Sequence, residues 1–372
     1  QVFDALPKNT WDRDDKISLM YAAISVALTV GTGALAAVFL PLKLAFLPLW
    51  MAYWWAAGTI ATGCWVVAHE CGHGAFSDNK QLQDAVGYVL HTALMVPYFS
   101  WQRSHAVHHS KTNHLTEGET HVPYTLESGK KTLAKKQFMQ NVLGDTVGNA
   151  VYTFQRMVSH LVFGWPAYLL AGVTGGPVRG MTNHFFPLPP FSTGQKNTEL
   201  FPGQWKKKVW LSDVGIVAMM GVLAAWSATY GFTHMAALYL GPLAITNCWL
   251  VLYTWLQHTD VDVPHYEGEN WSFLKGAFMS IDRPYGPIFD FLHHRIGSTH
   301  VVHHIDCTIP HYRAKAATEA VAAAFPDHYL YEGTPIPQAT WRVAQGCIAV
   351  EQRGKRWVFV QGKGTPTLPV SA

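Results

Sequence analysis

Four long apolar segments, set in two close pairs, constrain this chain more than anything else in it. They run at about 17–40, 44–68, 211–230 and 234–256, and each reaches the roughly 20 helical residues that cross a bilayer core. The linkers inside the pairs are a few residues around Pro41 and Lys43 in the first and a turn at Gly231 in the second. Each pair therefore reads as a hairpin that returns the chain to the side it left. By parity the N-terminus, residues 69–210 and residues 257–372 share one side of the membrane. Lys130, Lys131, Lys135, Lys136 and Lys206 to Lys208 all lie there, while the hairpin tips are almost uncharged. The positive-inside rule makes that side cytosolic.

Composition agrees with a single membrane domain spanning 1–372. Charged residues make up 14%, against roughly 25% in soluble domains. A net charge of +3, without a basic patch interleaved with stacking aromatics, excludes a nucleic-acid partner. The five cysteines show no CxxC spacing, which excludes a disulfide framework or thiolate zinc site and fits a reducing compartment. Cys64 and Cys248 read as apolar filler. Residues 84–101 and 150–173 carry His91, Pro97, Arg156, His160 and Pro166 and are expected as helices in the cytosolic interface. The Gly- and Pro-rich stretch 174–204 is expected as a loop. "GTGALA" from Gly31 fits a dinucleotide fingerprint, but it sits inside an apolar span, where small residues serve helix contact. Gln1 in place of Met points to missing N-terminal residues, and with no signal peptide legible, targeting is expected to rest on the spans.

The chain has 20 histidines, and eight of them fall in three clusters. These are His69 and His73 in "HECGH", His105, His108 and His109 in "HAVHH", and His300, His303 and His304 in "HVVHH". Residues at i, i+3 and i+4 share one helix face, so each cluster presents its imidazoles together. Neutral imidazole suits iron, zinc, copper and nickel. Eight such ligands exceed one site that must also admit substrate, so two ions are expected. His258, which ends the fourth apolar segment as His69 ends the second, is the expected ninth ligand; His294 competes for that role, and His293 less so. His91, His114, His121, His265 and His311 lack repeated spacing and are expected at the surface or in supporting positions. Nearby carboxylates, Glu70, Asp78, Asp84, Glu117, Glu119, Asp260, Asp262 and Asp306, are expected to orient rings or to be solvated.

The order HxxxH, HxxHH, HxxHH with membrane hairpins between resembles the integral-membrane fatty acid desaturases over almost the whole chain. "HECGHGAFSD", "VPYFSW", "HVPY", "QHTDVDVPHY" and "HVVHHIDCTIPHYRAKAATEA" are similar to the microsomal acyl-lipid delta-12 and delta-15 group. The resemblance implies an all-α membrane protein: four transmembrane helices, interfacial helices, and a cytosolic helical cap in the endoplasmic reticulum. It also implies two Fe ions that activate O2, with electrons from NADH through cytochrome b5 reductase and cytochrome b5, acting on a membrane lipid acyl chain. Carried over residue by residue, the ligands are His69, His73, His105, His108, His109, His300, His303 and His304, with His258 as the extra. Glu70 favours the delta-12 (omega-6, oleate) type over omega-3 enzymes, many of which have Asp there. No heme-type motif is legible in the tail, so a separate electron donor is expected, and the ending "GTPTLPVSA" lacks a retrieval signal.

Hydroxylases and epoxygenases on the same fold are the alternatives that only products separate. A membrane metal transporter is the remote one, because transporters place ionisable ligands at mid-span and these spans hold none there.

Overall fold

Asp14 opens the first long helix: its carboxylate accepts the amides of Lys16 at 2.8 Å and Ile17 at 3.2 Å, and the apolar run behind it forms α1, Asp15–Phe39. A short linker leads to α2, Leu47–His73, which carries Pro in its first turn and stops at Gly74. Gly74 has φ +79°, a left-handed conformation that glycine adopts without strain and that commonly ends helices. The computed structural model describes residues 2–195 and 197–361. After α2 come α3 (Lys80–Ala93), α4 (Tyr98–Ser110), α5 (Lys130–Leu143), α6 (Asp145–Ala171) and α7 (Trp205–Tyr230). Then follow the long helix α8 (Phe232–His258) and five shorter ones: α9 (Phe273–Ala277), α10 (Pro287–Leu292), α11 (His300–Ile305), α12 (His311–Ala324) and α13 (Ile336–Gly346). Among the described residues, four helical stretches are long and apolar enough to cross a membrane: Asp15–Phe39, Leu44–His73, Trp205–Tyr230 and Phe232–His258.

Helix α8 contains a π-helical turn, Ala236–Leu240, just before Gly241 and Pro242. Proline has no amide to donate, so the carbonyl four residues back, Leu238, loses its helical partner. The second span supplies donors instead, Tyr53 Oη to the Leu238 carbonyl at 3.0 Å and Trp54 Nε1 to the Ala237 carbonyl at 2.7 Å. Backbone groups inside a bilayer must be satisfied within the protein, so this irregular turn ties the two hairpins together. Close approach at Gly58 does the same, since a Cβ there would stand 2.5 Å from the Pro242 carbonyl and from Ile245 Cβ. Thr246 Oγ1 then reaches the Gly58 carbonyl at 3.0 Å. Facing outward, Val38 (73%), Phe39 (72%) and Val217 (66%) are exposed, as suits side chains that meet lipid.

The ends of the spans meet one layer. Arg13 pairs with Asp78 at 2.7 Å, Trp11 donates to Asp306 at 2.9 Å, and Ser212 near the start of α7 accepts the Phe99 amide at 2.9 Å. An apolar core of Val301, Val302, Ile305, Ala317 and Val321 lies under α11 and α12.

Several expectations need correction. Residues 84–101 are not one helix: the chain breaks between α3 and α4 at Leu94–Pro97, because proline disfavours helical backbone in the residue before it. The second span runs on to His73 and the third begins at Trp205, since polar residues extend a helix beyond the window that hydropathy sees. A small sheet was not foreseen: β1 (Tyr124–Thr125) pairs parallel with β2 (Ala349–Arg353), which pairs antiparallel with β3 (Arg356–Phe359). Strands this short carry too little alternation to read. No helix or strand occupies 172–204 among the described residues, as expected of a loop. All five cysteines are free thiols. The ending "GTPTLPVSA" lies outside the described residues.

Substituting leucine at Gly58 is expected to abolish the monodisperse peak in detergent size-exclusion, because overpacking against backbone costs about 1–3 kcal/mol or more. G221L, at a glycine with nothing within 4 Å, should leave that peak intact; equal behaviour of the two variants would contradict the packing account.

Candidate metal centre

Helical spacing does locally what was expected of it: His69 and His73 share the last turns of α2, His105, His108 and His109 one flank of α4, and His300, His303 and His304 the single turn of α11. Tertiary packing then brings the ring nitrogens together. Nε2 to Nε2 distances are 3.0 Å for His69–His105, 3.2 Å for His73–His69 and 3.2 Å for His109–His105. On the other flank, His258 stands 3.0 Å from His108 and 3.0 Å from His300. One group, His69, His73, His105, His109 and His303, has its ligand atoms within 4.8 Å of one another, and a second comprises His108, His258 and His304. The rings of His109 and His304 stack at 4.1 Å and join the groups.

The donor set fits cations. Ligand nitrogens about 2.0–2.1 Å from one ion and about 90° apart stand about 3 Å from each other, close to the separations seen. Nε2 of His303 and of His304 is buried with no hydrogen-bond partner among the described residues. Burial, reinforced by neighbouring imidazoles, holds His105, His109, His300 and His304 well below the ordinary histidine range and His108 and His303 at about 3. These rings are neutral at physiological pH and offer lone pairs.

His294 lies elsewhere, 2.9 Å from Ser25 Oγ, and His293 Nε2 is 2.7 Å from the Thr59 carbonyl. His121 stacks near His258 at 5.6 Å. His91, His114 and His265 are buried, so of the surface or supporting positions expected for them the surface is ruled out. His91 is wedged against Trp65 and Trp101, His114 accepts local amides at 3.1 and 3.2 Å, and His265 is paired through its backbone to Trp357. Among the carboxylates, Glu70 Oε1 is 3.7 Å from His69 Nδ1, and its Oε2 accepts the His311 amide at 2.9 Å, tying α2 to the start of α12. The others engage different partners: Asp78 with Arg13, Asp84 with Tyr98, Glu117 with Lys111, Glu119 with Tyr168, Asp260 with Arg283 and Asp306 with Trp11.

Two of the supporting residues that sequence reasoning missed are adjacent in the chain. Asp282 Oδ1 accepts the Val301 amide at 2.9 Å and its Oδ2 accepts Tyr329 Oη at 2.7 Å, so it caps the helix of the third cluster. Arg283 donates through Nε to the Leu256 carbonyl at 2.9 Å and through Nη2 to Asp260 at 2.8 Å, and also pairs with Glu332, which pins the end of α8 at His258. Thr112 Oγ1 lies 3.0 Å from His304 Nδ1. No local pattern flags these residues, because each acts on a segment distant in sequence.

Beside the histidines lies an apolar cavity of about 260 Å³ whose wall includes Trp65, Trp101, His105, Phe163 and Val251. A second cavity of about 440 Å³ adjoins it, and the two share His121, Tyr124, Ser159, His160 and Thr174 in their walls. Trp101 stacks on His105 at 4.5 Å, so the apolar wall and the nitrogen cluster share one partition.

The sequence matches the family model for fatty acid desaturases over residues 44–335. It is 41% identical over 312 residues to a Delta(12)-fatty-acid desaturase of Arabidopsis thaliana, covering 84% of this chain and 76% of that one. It is 40% identical over 314 residues to an "Omega-6 fatty acid desaturase, endoplasmic reticulum" of Brassica juncea, covering 83% and 76%. An oleoyl-12-hydroxylase of Ricinus communis is 35% identical over 350 residues, covering 93% and 85%.

Two predictions follow from the geometry. Asp282→Ala removes a helix cap worth about 1 kcal/mol and is expected to lower bound metal per chain, read by elemental analysis, with protein still in the membrane; full metal loading would contradict its role. Folded His108 and His303 titrate near 3 against an ordinary 6.5, so between those values the unfolded chain binds more protons and stability rises with pH. Metal-stripped protein should therefore melt lower at about pH 5.5 than at about pH 7.5, and equal melting would contradict the neutral assignment.

Proposed function

The chain belongs to the fatty acid desaturase family, and from that premise we propose that it converts oleoyl chains of membrane lipid to linoleoyl chains, acting at the delta-12 position. It is a metal-dependent, multi-pass membrane oxidoreductase. The observation that carries the finer reading is the meeting of nine imidazoles, at the ends of two spans and on two helices beside them, with an apolar cavity along their flank. The delta-12 names of the Arabidopsis and Brassica relatives support the position.

The ligands in this reading are His69, His73, His105, His109 and His303 for one ion, and His108, His258, His300 and His304 for the other. Iron suits neutral imidazole with open positions, and two Fe ions bound there supply a centre at which O2 is reduced with two electrons and two protons to two waters, while two hydrogens leave adjacent carbons. What the chain contributes is placement. Trp65, Trp101 and Val251 exclude water from the acyl chain, and the partition at His105 sets the chain against the nitrogen cluster. Thr112 orients His304, and Glu70 ties α2 to α12 through the His311 amide beside His69. Electrons come from NADH through cytochrome b5 reductase and cytochrome b5. The site faces the cytosol from the endoplasmic reticulum; the lysine distribution and the Brassica name support that address. The whole chain acts as one membrane domain.

The Ricinus relative supports a second reading, hydroxylation of the same carbon region. Expression in yeast separates the two: the fatty acid profile should gain 18:2 at the expense of 18:1, whereas ricinoleate, or 18:3 alone, would overturn the delta-12 assignment. His108→Ala should remove all product with the protein still present in membranes.

A further inference from the structure

The wider of the two adjoining cavities is unlike a hydrocarbon slot. Lys131 and Lys135 line it together with Thr132, Tyr152, Gln155 and Arg156, and no carboxylate lines it among the described residues. Lys131 and Lys135 are one helical turn apart on α5, so they share a face. Both are exposed, and neither has an acidic partner among the described residues. Arg156 forms the floor: its guanidinium donates to the carbonyls of Ala344 and Cys347 at 2.6 Å each, so its charge is fixed beneath the lysines. Further along the same face of α5, Phe138 and Val142 are apolar and bare, 66% and 62% exposed. A basic cup adjoining an apolar slot whose wall includes Trp65, Trp101 and His105 has the polarity profile of one ligand: an acyl chain attached to an anionic head.

We infer that Lys131 and Lys135 form a phosphate-binding subsite that holds the headgroup phosphate of a glycerophospholipid while its acyl chain fills the apolar slot. The inference rests on the reading of that slot as the acyl site. A lysine ammonium meets phosphate as a mobile point charge, which suits an exposed cup that admits and releases a lipid. Phe138 and Val142, bare on the helix face that carries the two lysines, favour a substrate arriving from the bilayer over a water-soluble thioester carrying phosphates of its own.

The test uses the full-length, metal-loaded protein in nonionic detergent and measures equilibrium binding of dioleoyl phosphatidylcholine, dioleoylglycerol and oleoyl coenzyme A. Each lysine near a lipid surface contributes about 1 kcal/mol, so the double variant K131Q/K135Q should bind dioleoyl phosphatidylcholine about tenfold more weakly or worse. Its affinity for dioleoylglycerol, which has the same chains without phosphate, and its metal content should not change. Unchanged phosphatidylcholine binding, or an equal fall for both lipids, would overturn the subsite. A fall confined to oleoyl coenzyme A would overturn the phospholipid as the source of the phosphate. A167W, which narrows the apolar slot at a lining residue, should weaken both lipids alike. If it weakens neither, the acyl reading of the slot fails, and that outcome is distinct from failure of the lysine cup.

Discussion

Imidazole nitrogens 3.0–3.2 Å apart, with no backbone or carboxylate between them, repel one another through their lone pairs unless a proton or a cation is shared. A neutral ring's Nε2 carries either one N–H or one lone pair, so the Nε2 atoms of His69 and His105, each facing two neighbours, cannot make two good N–H···N bonds at once. A divalent cation satisfies several rings at once. The rest of the architecture can be understood as the means of holding these rings at that spacing against their own repulsion. Rigid helices do this better than loops, and here the rings stand on the last turns of two spans and on two helices packed beside them.

The spans in turn are held by contacts that a bilayer makes stringent. The carbonyls freed ahead of Pro242 are taken by Tyr53 and Trp54, and Gly58 lets α2 and α8 approach until Thr246 reaches the α2 backbone. The separation of His69 from His258 is thus set by packing within the membrane. Outside it, Asp282 and Arg283 act as a two-residue clamp, one side chain on the start of α11 and the other on the end of α8. Their adjacency couples the placement of His300 to that of His258.

The spans and the three clusters were legible in the sequence because hydropathy and i, i+3, i+4 spacing are local signals. His258 was legible by analogy with His69, since each ends an apolar run. The helix break before Pro97 was missed because the apolar character continues across it, although proline itself was a visible cue. Asp282 and Arg283 were not legible: a buried aspartate capping a helix 19 residues away, and an arginine reaching a carbonyl 27 residues back, leave no pattern in a single sequence. Nor was the cavity, whose walls come from α2, α4, α6 and α8 and exist only once these helices pack.

The central claim is that nine histidines hold two ions, with His258 serving one of them. Anaerobic titration of metal-stripped, detergent-purified protein with ferrous iron, read as tightly bound ions per chain, tests it most directly. The unmodified chain should saturate at two and H258A at one with the fold intact. Saturation at one in the unmodified chain, or at two in H258A, would contradict the account.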